Sequence, residues 1–479
     1  HRVDPQAIRP TNLFHGGPVQ GGVVHPTAGR PHVVAKGDEG HRPIMARRAA
    51  PPAGELHLPD TWLISHGAKA WSRKLSSLEA FAKDDPWPAC STESRLWMPR
   101  DDALIPRSRR AQVSGDYEAT VTPLIADRSS IPLSGSLAAD VAAAEAAITR
   151  FDERTGANLA GFSVIALRTE AAMSSQIENL TAAASSIAVA EHAPPSNGPH
   201  KSNAELIASN VATLLAALSR NSPLDTIEVI ELQRILLEDS APRLTGRFRN
   251  QQVWVGGSSY SPHGAVHVAP HHERVPAAMT DLVAFANRTD LGALAHIAVT
   301  HAHFETVHPF PDGNGRTGRV LIQRMLRSAG LTRRSNVPLS AGLLTESTRY
   351  FDALNRYRDG DVEPIIGTFV DATFHSLNNA DQLVDNLSAA RLRWTDRVVA
   401  RSDSAVWPLL EYCIGHPAIT IKAAVTALGV SEVAVSNAID RLVSLGILHQ
   451  NSPARRNRIW LVSDVLDAVE DFMDRARRR

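Results

Sequence analysis

Between positions 308 and 319 the chain reads HPFPDGNGRTGR, and a helix is not expected to continue through its run Asp312–Gly315. Pro309 and Pro311 lack amide donors, while Gly313, Asn314 and Gly315 are residue types that tolerate left-handed backbone. A tight loop is forced here. From Arg316 to Ala329 an apolar helical period returns through Val320, Leu321, Met325 and Leu326, so the loop feeds a helix N-terminus. Such a junction suits an anion. Amides of the turn and of the first helical turn lack intrahelical partners and carry the positive end of the helix dipole, which fits a di- or triphosphate. Arg316 and Arg319 lie three apart on one helix face and add planar guanidinium forks for phosphate oxygens. Asp312 supplies the hard oxygen that a magnesium ion between phosphates needs. His308 stands just ahead, and imidazole is the side chain suited to take a hydroxyl proton near neutral pH. Together these residues describe phosphoryl-group chemistry.

At 479 residues the chain exceeds one ordinary core. Its 43% apolar and 21% charged residues place it with globular proteins rather than disordered or fibrous ones. Fifty basic and fifty acidic residues cancel, which excludes an overall field toward nucleic acid or an anionic membrane. Cys90 and Cys413 lack zinc or disulfide spacing. No window nears roughly 18 uninterrupted apolar residues, and a secretory pattern is missing. A reducing, cytoplasmic location without membrane contact is expected.

Residues 1–110 are expected to form a disordered extension, or upstream sequence, with Met98 a candidate natural start. Residues 5–37 hold no acid and no apolar period. Beyond Asp116 the chain reads as mainly α, with helices punctuated by Gly, Pro and Asn. Leu137, Val141, Ala144, Ile148 and Phe151 make one stripe; Leu206, Ile207, Asn210, Val211, Leu214 and Leu218 make another. Further helices are expected over 226–238, 276–287, 293–307, 316–329, 346–358 and 362–399. A small hairpin, QQVWVGG followed by Ala265–Val268, interrupts them. The expected division is an N-terminal helical region at 111–225, a core at 226–372, a linking helix at 373–404 and a separate domain at 405–479.

That last segment resembles a winged helix-turn-helix, with helices over 421–428 and 431–445 and a turn at Gly429-Val430. Arg455, Arg456 and Arg458 fall where a wing tip could meet phosphate. The presumed recognition helix carries Glu432 and Asp440 and no base-reading Arg at its start, so a DNA partner and a protein partner both stay open. Arg475, Arg477, Arg478 and Arg479 read as a solvated tail.

The run HPFPDGNGRTGR is similar to the active-site motif of the Fic family, and the resemblance extends from about Tyr117 to Phe369. It implies a helical catalytic domain that moves AMP from ATP onto a protein hydroxyl. His308 would be the base, and Asp312 would hold magnesium. Asn314, Gly315 and the neighbouring amides of Gly313, Thr317 and Gly318 would meet the α-phosphate, Arg316 the leaving pyrophosphate, and Arg319 the γ-phosphate. Phe310 would anchor the loop. Val253, Trp254, Val255 and Gly256 would be the flap that aligns a target segment by strand pairing. Tyr350 and Phe351 match an aromatic pair packed near adenine, with Phe in place of the usual second Tyr. In SSQIEN at 174–179, Ser174, Glu178 and Asn179 match the family's inhibitory helix, whose Glu would take Arg319 from the γ-phosphate. Removal of AMP, transfer of another phosphate-containing group, self-modification, a homodimer and a purely regulatory role all stay open.

Overall fold

The computed structural model describes residues 86–98, 113–158, 161–193, 201–453 and 456–477. The chain is mainly helical. It opens on β1 (Ser91–Trp97), paired antiparallel with β2 (Gly115–Val121), Ser91 opposite Val121 and Trp97 opposite Gly115. Then follow α1 (Gly135–Asn158), α2 (Phe162–Ile177), α3 (Ala184–Ala190), α4 (Asn203–Leu218) and α5 (Thr226–Leu237). The two-residue strands β3 (Trp254–Val255) and β4 (His267–Val268) form the small hairpin. Next come α6 (Val275–Ala286), α7 (Ala293–Val307), α8 (Asn314–Ser328), α9 (Leu339–Thr345), α10 (Ser347–Arg358) and the long α11 (Glu363–Arg397). The C-terminal part holds α12 (Val406–Gly415), β5 (Ala418–Ile419), α13 (Ile421–Leu428), α14 (Glu432–Ser444), β6 (Leu448–Gln450), β7 (Trp460–Val462) and α15 (Ser463–Arg477). Its sheet runs β5-β7-β6.

Local chemistry sets these boundaries. Ser202 and Glu205 form a reciprocal capping box at the start of α4, and the Asp225 carboxylate accepts from the Glu228 amide at 2.6 Å to start α5. Thr420 and Ser431 cap α13 and α14 in the same way, and Gly429, at φ 65°, ends α13 in the left-handed region that glycine enters without strain.

Both sequence stripes face the core, and the second does more than pack. Asn210 donates through Nδ2 to Ala171 O at 3.1 Å and Ser175 Oγ at 3.3 Å, tying α4 to α2. Helix α2 is buried almost all round, against α4, α8, α9, α12 and α15. A helix covered on every face is a core element, whatever its polar content.

Three sequence boundaries shift. Residues 86–98 belong to the fold: Trp87 is buried against Phe285 and Tyr357, and Trp97 meets Trp254 edge-on at 5.2 Å. The extension therefore does not run to 110, and Met98 follows a strand that the fold uses; the remainder of that expectation lies outside the described residues. The line at 372/373 cuts through α11, a single helix of 35 residues. The segment from 405 also does not stand apart. Asn379 Nδ2 on α11 donates to Phe472 O at 3.0 Å, Trp394 Nε1 to Asp464 at 2.6 Å, and Arg168 Nη1 on α2 to Gly415 O at 2.8 Å. Nor are Arg475 and Arg477 a solvated tail, because they donate to Asn379 and Gln176. Arg455, Arg478 and Arg479 lie outside the described residues. No described helix is long and apolar enough to cross a membrane.

Candidate active site

The loop is shaped by its own residues. Asn314 is buried, and its side chain both accepts from Phe310 N and donates to Phe310 O, each at 2.8 Å. Phe310 is fully buried against Phe248 and Phe304, so the clamp fixes the loop to the core as expected. Asn314 thus spends its side chain on loop shape, and any anion contact falls to backbone amides. Gly313 takes φ 81° as the N-cap of α8, and its amide donates to Asp312 Oδ1 at 2.6 Å. Thr317 N closes back onto Gly313 O at 2.9 Å, so the amides ahead of it in the first turn have no partner within the helix. Asp312 keeps 34% of its side chain exposed at this mouth. A single accessible carboxylate beside a helix N-terminus fits magnesium, which takes few protein ligands and completes its shell with other oxygens and water.

His308 caps α7 at φ 49°, ψ 61°. A non-glycine residue there carries strain that its surroundings must hold. Burial, with the charge of Arg249 next in weight, lowers its imidazole to about 4, so the ring is neutral at pH 7 and able to accept a proton. Arg358 adds to that shift, and the Glu305 backbone and Glu178 oppose it.

Arg316 and Arg319, both buried, converge on Glu178 from the C-cap of α2. Arg316 Nε donates to Oε2 at 2.9 Å, and Arg319 Nη2 to Oε1 at 2.8 Å. The sequence pointed to Arg319 alone; the carboxylate bridges both. Ser174 completes the set, accepting from Arg319 through its hydroxyl and its carbonyl, each at 2.8 Å. Asn179, at φ 62°, turns the chain away after the helix. Burial raises the Glu178 carboxyl, but the two guanidiniums outweigh it and hold it below its ordinary range. Gly315 makes room for this contact: a Cβ there would stand 2.4 Å from Glu178 Oε1. Gly318 likewise lets α8 approach α7, since its Cβ would meet Glu305 at 2.8 Å.

Sequence reasoning missed the layer beneath. Burial lifts Glu305 and Glu170 each to about 7, against the charge of Arg319, which lowers both. Glu170 is held by Ser340 N and Oγ at 2.9 and 2.6 Å. The i, i+4, i+8 spacing of Glu170, Ser174 and Glu178 on one helix face was the available signal. Tyr350 is buried with its hydroxyl 2.7 Å from His301 Nε2, and the half-buried Phe351 packs against it at 5.1 Å.

The β3–β4 hairpin holds Val253 to Gly256 beside the loop. Ala269 N donates to Val253 O at 3.2 Å and Val266 N to Val255 O at 2.9 Å, while Trp254 Nε1 donates to Ser258 O. Behind it, Tyr117 donates to Gln252 Oε1 at 3.1 Å and Trp97 Nε1 to Tyr260 O at 3.1 Å, so the β1–β2 hairpin braces it. Among the described strands, none pairs with the outer edge of β3.

Residues 223–326 match the Fic/DOC family model. Curated proteins similar to the chain include the protein adenylyltransferase Fic of Drosophila erecta, 28% identical over 164 residues, which is 34% of this chain and 30% of that protein. That of Aedes aegypti is 28% identical over 162 residues, again 34% and 30%. The chain therefore spans under a third of the length of these relatives. Among solved structures, a Fic family protein from Desulfovibrio desulfuricans G20 is 20% identical, covering 71% of this chain and 98% of that one at a TM-score of 0.46. Fic-1 from C. elegans is 19% identical, with 52% and 73% covered at 0.36. The loop between α7 and α8 lies within the residues, 223–326, that match the Fic/DOC family model.

Proposed function

We propose that the chain is a protein adenylyltransferase that moves AMP from ATP to a protein hydroxyl and is restrained by its own Glu178. One observation carries the reading: a neutral imidazole, an open helix N-terminus and two arginines meet at one loop, and an internal carboxylate holds both arginines. A carboxylate is the side chain that most resembles a phosphate oxygen pair to a guanidinium fork. Asp312 would hold magnesium, which neutralises phosphate charge when bound. The first-turn amides of α8 would orient the α-phosphate in line, and Arg316 and Arg319 would receive the outer phosphates once Glu178 leaves. His308 would take the proton from the attacking hydroxyl as the bond from phosphorus to the leaving pyrophosphate breaks. The unpaired edge of β3 would align the target segment.

The C-terminal elements follow the order of a winged helix. The exposed face of α14 carries Glu432 and Asp440, which favours a protein partner over nucleic acid. The test is incubation of the protein and Glu178→Gly with labelled ATP and magnesium. Labelled protein from the variant, absent when His308 is also changed to Ala, supports the reading. No label from a folded Glu178→Gly protein that binds ATP sinks it.

A further inference from the structure

Arg249 is buried, and its guanidinium is satisfied by backbone carbonyls. Nε donates to His308 O at 2.8 Å and Nη2 to Val307 O at 3.3 Å. Nη2 also donates to Pro270 O at 2.6 Å, and Nη1 to Gln251 O at 3.0 Å. The backbone amide of Arg249 donates to Pro309 O at 2.9 Å. These acceptors belong to two places. Val307, His308 and Pro309 are the end of α7 and the start of the loop. Gln251 and Pro270 are the two feet of the β3–β4 hairpin.

We infer that Arg249 is a positioning residue that fixes the hairpin and the His308 turn relative to each other, so that a target strand on β3 is presented to the base at one set distance. The inference rests on the transfer reading for its purpose, and on the geometry alone for the coupling. Two physical facts make Arg the residue for the position. The last carbonyls of α7 have no intrahelical donors and form the negative end of its dipole, which a cation satisfies. A planar fork holds five donors on three nitrogens in fixed directions, whereas an ammonium carries its three donors on one nitrogen at the end of a flexible stem. Burial lowers Arg249 to about 9, which leaves it charged at neutral pH. The strained φ of His308 needs such a support, because its neighbours must hold a conformation that the residue alone would leave.

Arg249→Lys keeps the charge and loses the fork; Arg249→Met loses both. Hydrogen exchange reads the coupling without any activity. In the full-length Lys variant, the amides of Val266 and Ala269 and that of His308 should all exchange about tenfold faster, with amides in the middle of α8 unchanged. The Met variant, if it folds, should show the larger change. Faster exchange in the hairpin alone, in the turn alone or in neither overturns the proposal. On a Glu178→Gly background, labelling at saturating ATP should fall at least about tenfold in the Lys variant, while the Kd for ATP with magnesium changes less than about threefold. An unchanged labelling rate, or a fall matched by lost ATP affinity, counts against positioning. Should the Glu178→Gly parent itself not label, the transfer reading fails, and the exchange result still decides the role of Arg249.

Discussion

The loop at 308–319 and helix α2, whose C-cap Glu178 meets its two arginines, are held in opposite ways. The loop is folded mostly by its own residues: Asn314 clamps Phe310, Gly313 supplies the left-handed turn, and Asp312 takes the Gly313 amide. Helix α2 is held from far along the chain. Asn210 grips its middle, Ser340 fixes Glu170, Gly415 accepts from Arg168, and Arg477 donates to Gln176 at 3.0 Å. The contacts that shape the loop are local, and those that hold α2 reach some three hundred residues along the chain, from Gln176 to Arg477.

The largest expected effect probes the local side. His308→Ala should cost about 10²- to 10⁴-fold in labelling on the Glu178→Gly background, measured as initial rate, with ATP affinity retained. An active His308→Ala protein would break the assignment of chemistry to the loop. Glu178→Gly comes next. Charge-assisted contacts of roughly 1.5–3 kcal/mol give about a ten- to hundredfold gain in labelling, with Glu178→Asp between the two. Arg319→Ala should not match that gain, since it removes a phosphate contact along with the restraint. Asn314→Ala should lower stability by about 1–3 kcal/mol in denaturant titration, because it strands the buried Phe310 amide and carbonyl. The smallest effect sharpens the contrast. Arg477 is half-exposed, so Arg477→Ala should weaken the hold on α2 by roughly 0.2–1 kcal/mol and raise labelling less than about fivefold. A gain equal to that of Glu178→Gly would show that one distant contact, and not a distributed set, seats the carboxylate.

Acid should loosen the same restraint. The Glu178 carboxyl is held below its ordinary range, so its contribution is present above the usual carboxylate pKa and is lost as pH falls through the lower folded value. Thermal stability of the parent should therefore drop more steeply at low pH than that of Glu178→Gln, measured by melting curves.

Legibility in the sequence follows the same divide. The helix at 421–428 matches its expected limits, as do α5, α7, α10 and α11 to within two residues, because caps and apolar periods are local signals. The bridging of Glu178 to Arg316 was not visible, since it depends on how α2 crosses α8. Strand β1 was hidden for another reason: STESRLW lacks a clear apolar alternation, and it becomes a strand through Tyr117 and Trp254. Arg249 gave no sequence cue, because its partners are carbonyls, which every residue has. The separate C-terminal domain failed as a reading because a helix-turn-helix rhythm does not reveal that α15 lies along α2 and α11.

The burial of α2 around its circumference also limits how fast, and by what motion, the site can be freed. Moving the helix would uncover Phe162, Ile165, Met173 and Ile177 together with the neighbours that cover them, a rearrangement that belongs to microseconds or slower. Glu178 sits past the last helical residue, beside an exposed Asn179, where a side-chain torsion needs no helix to move. A rotation of that side chain alone would break the two guanidinium contacts and leave the buried face of α2 covered.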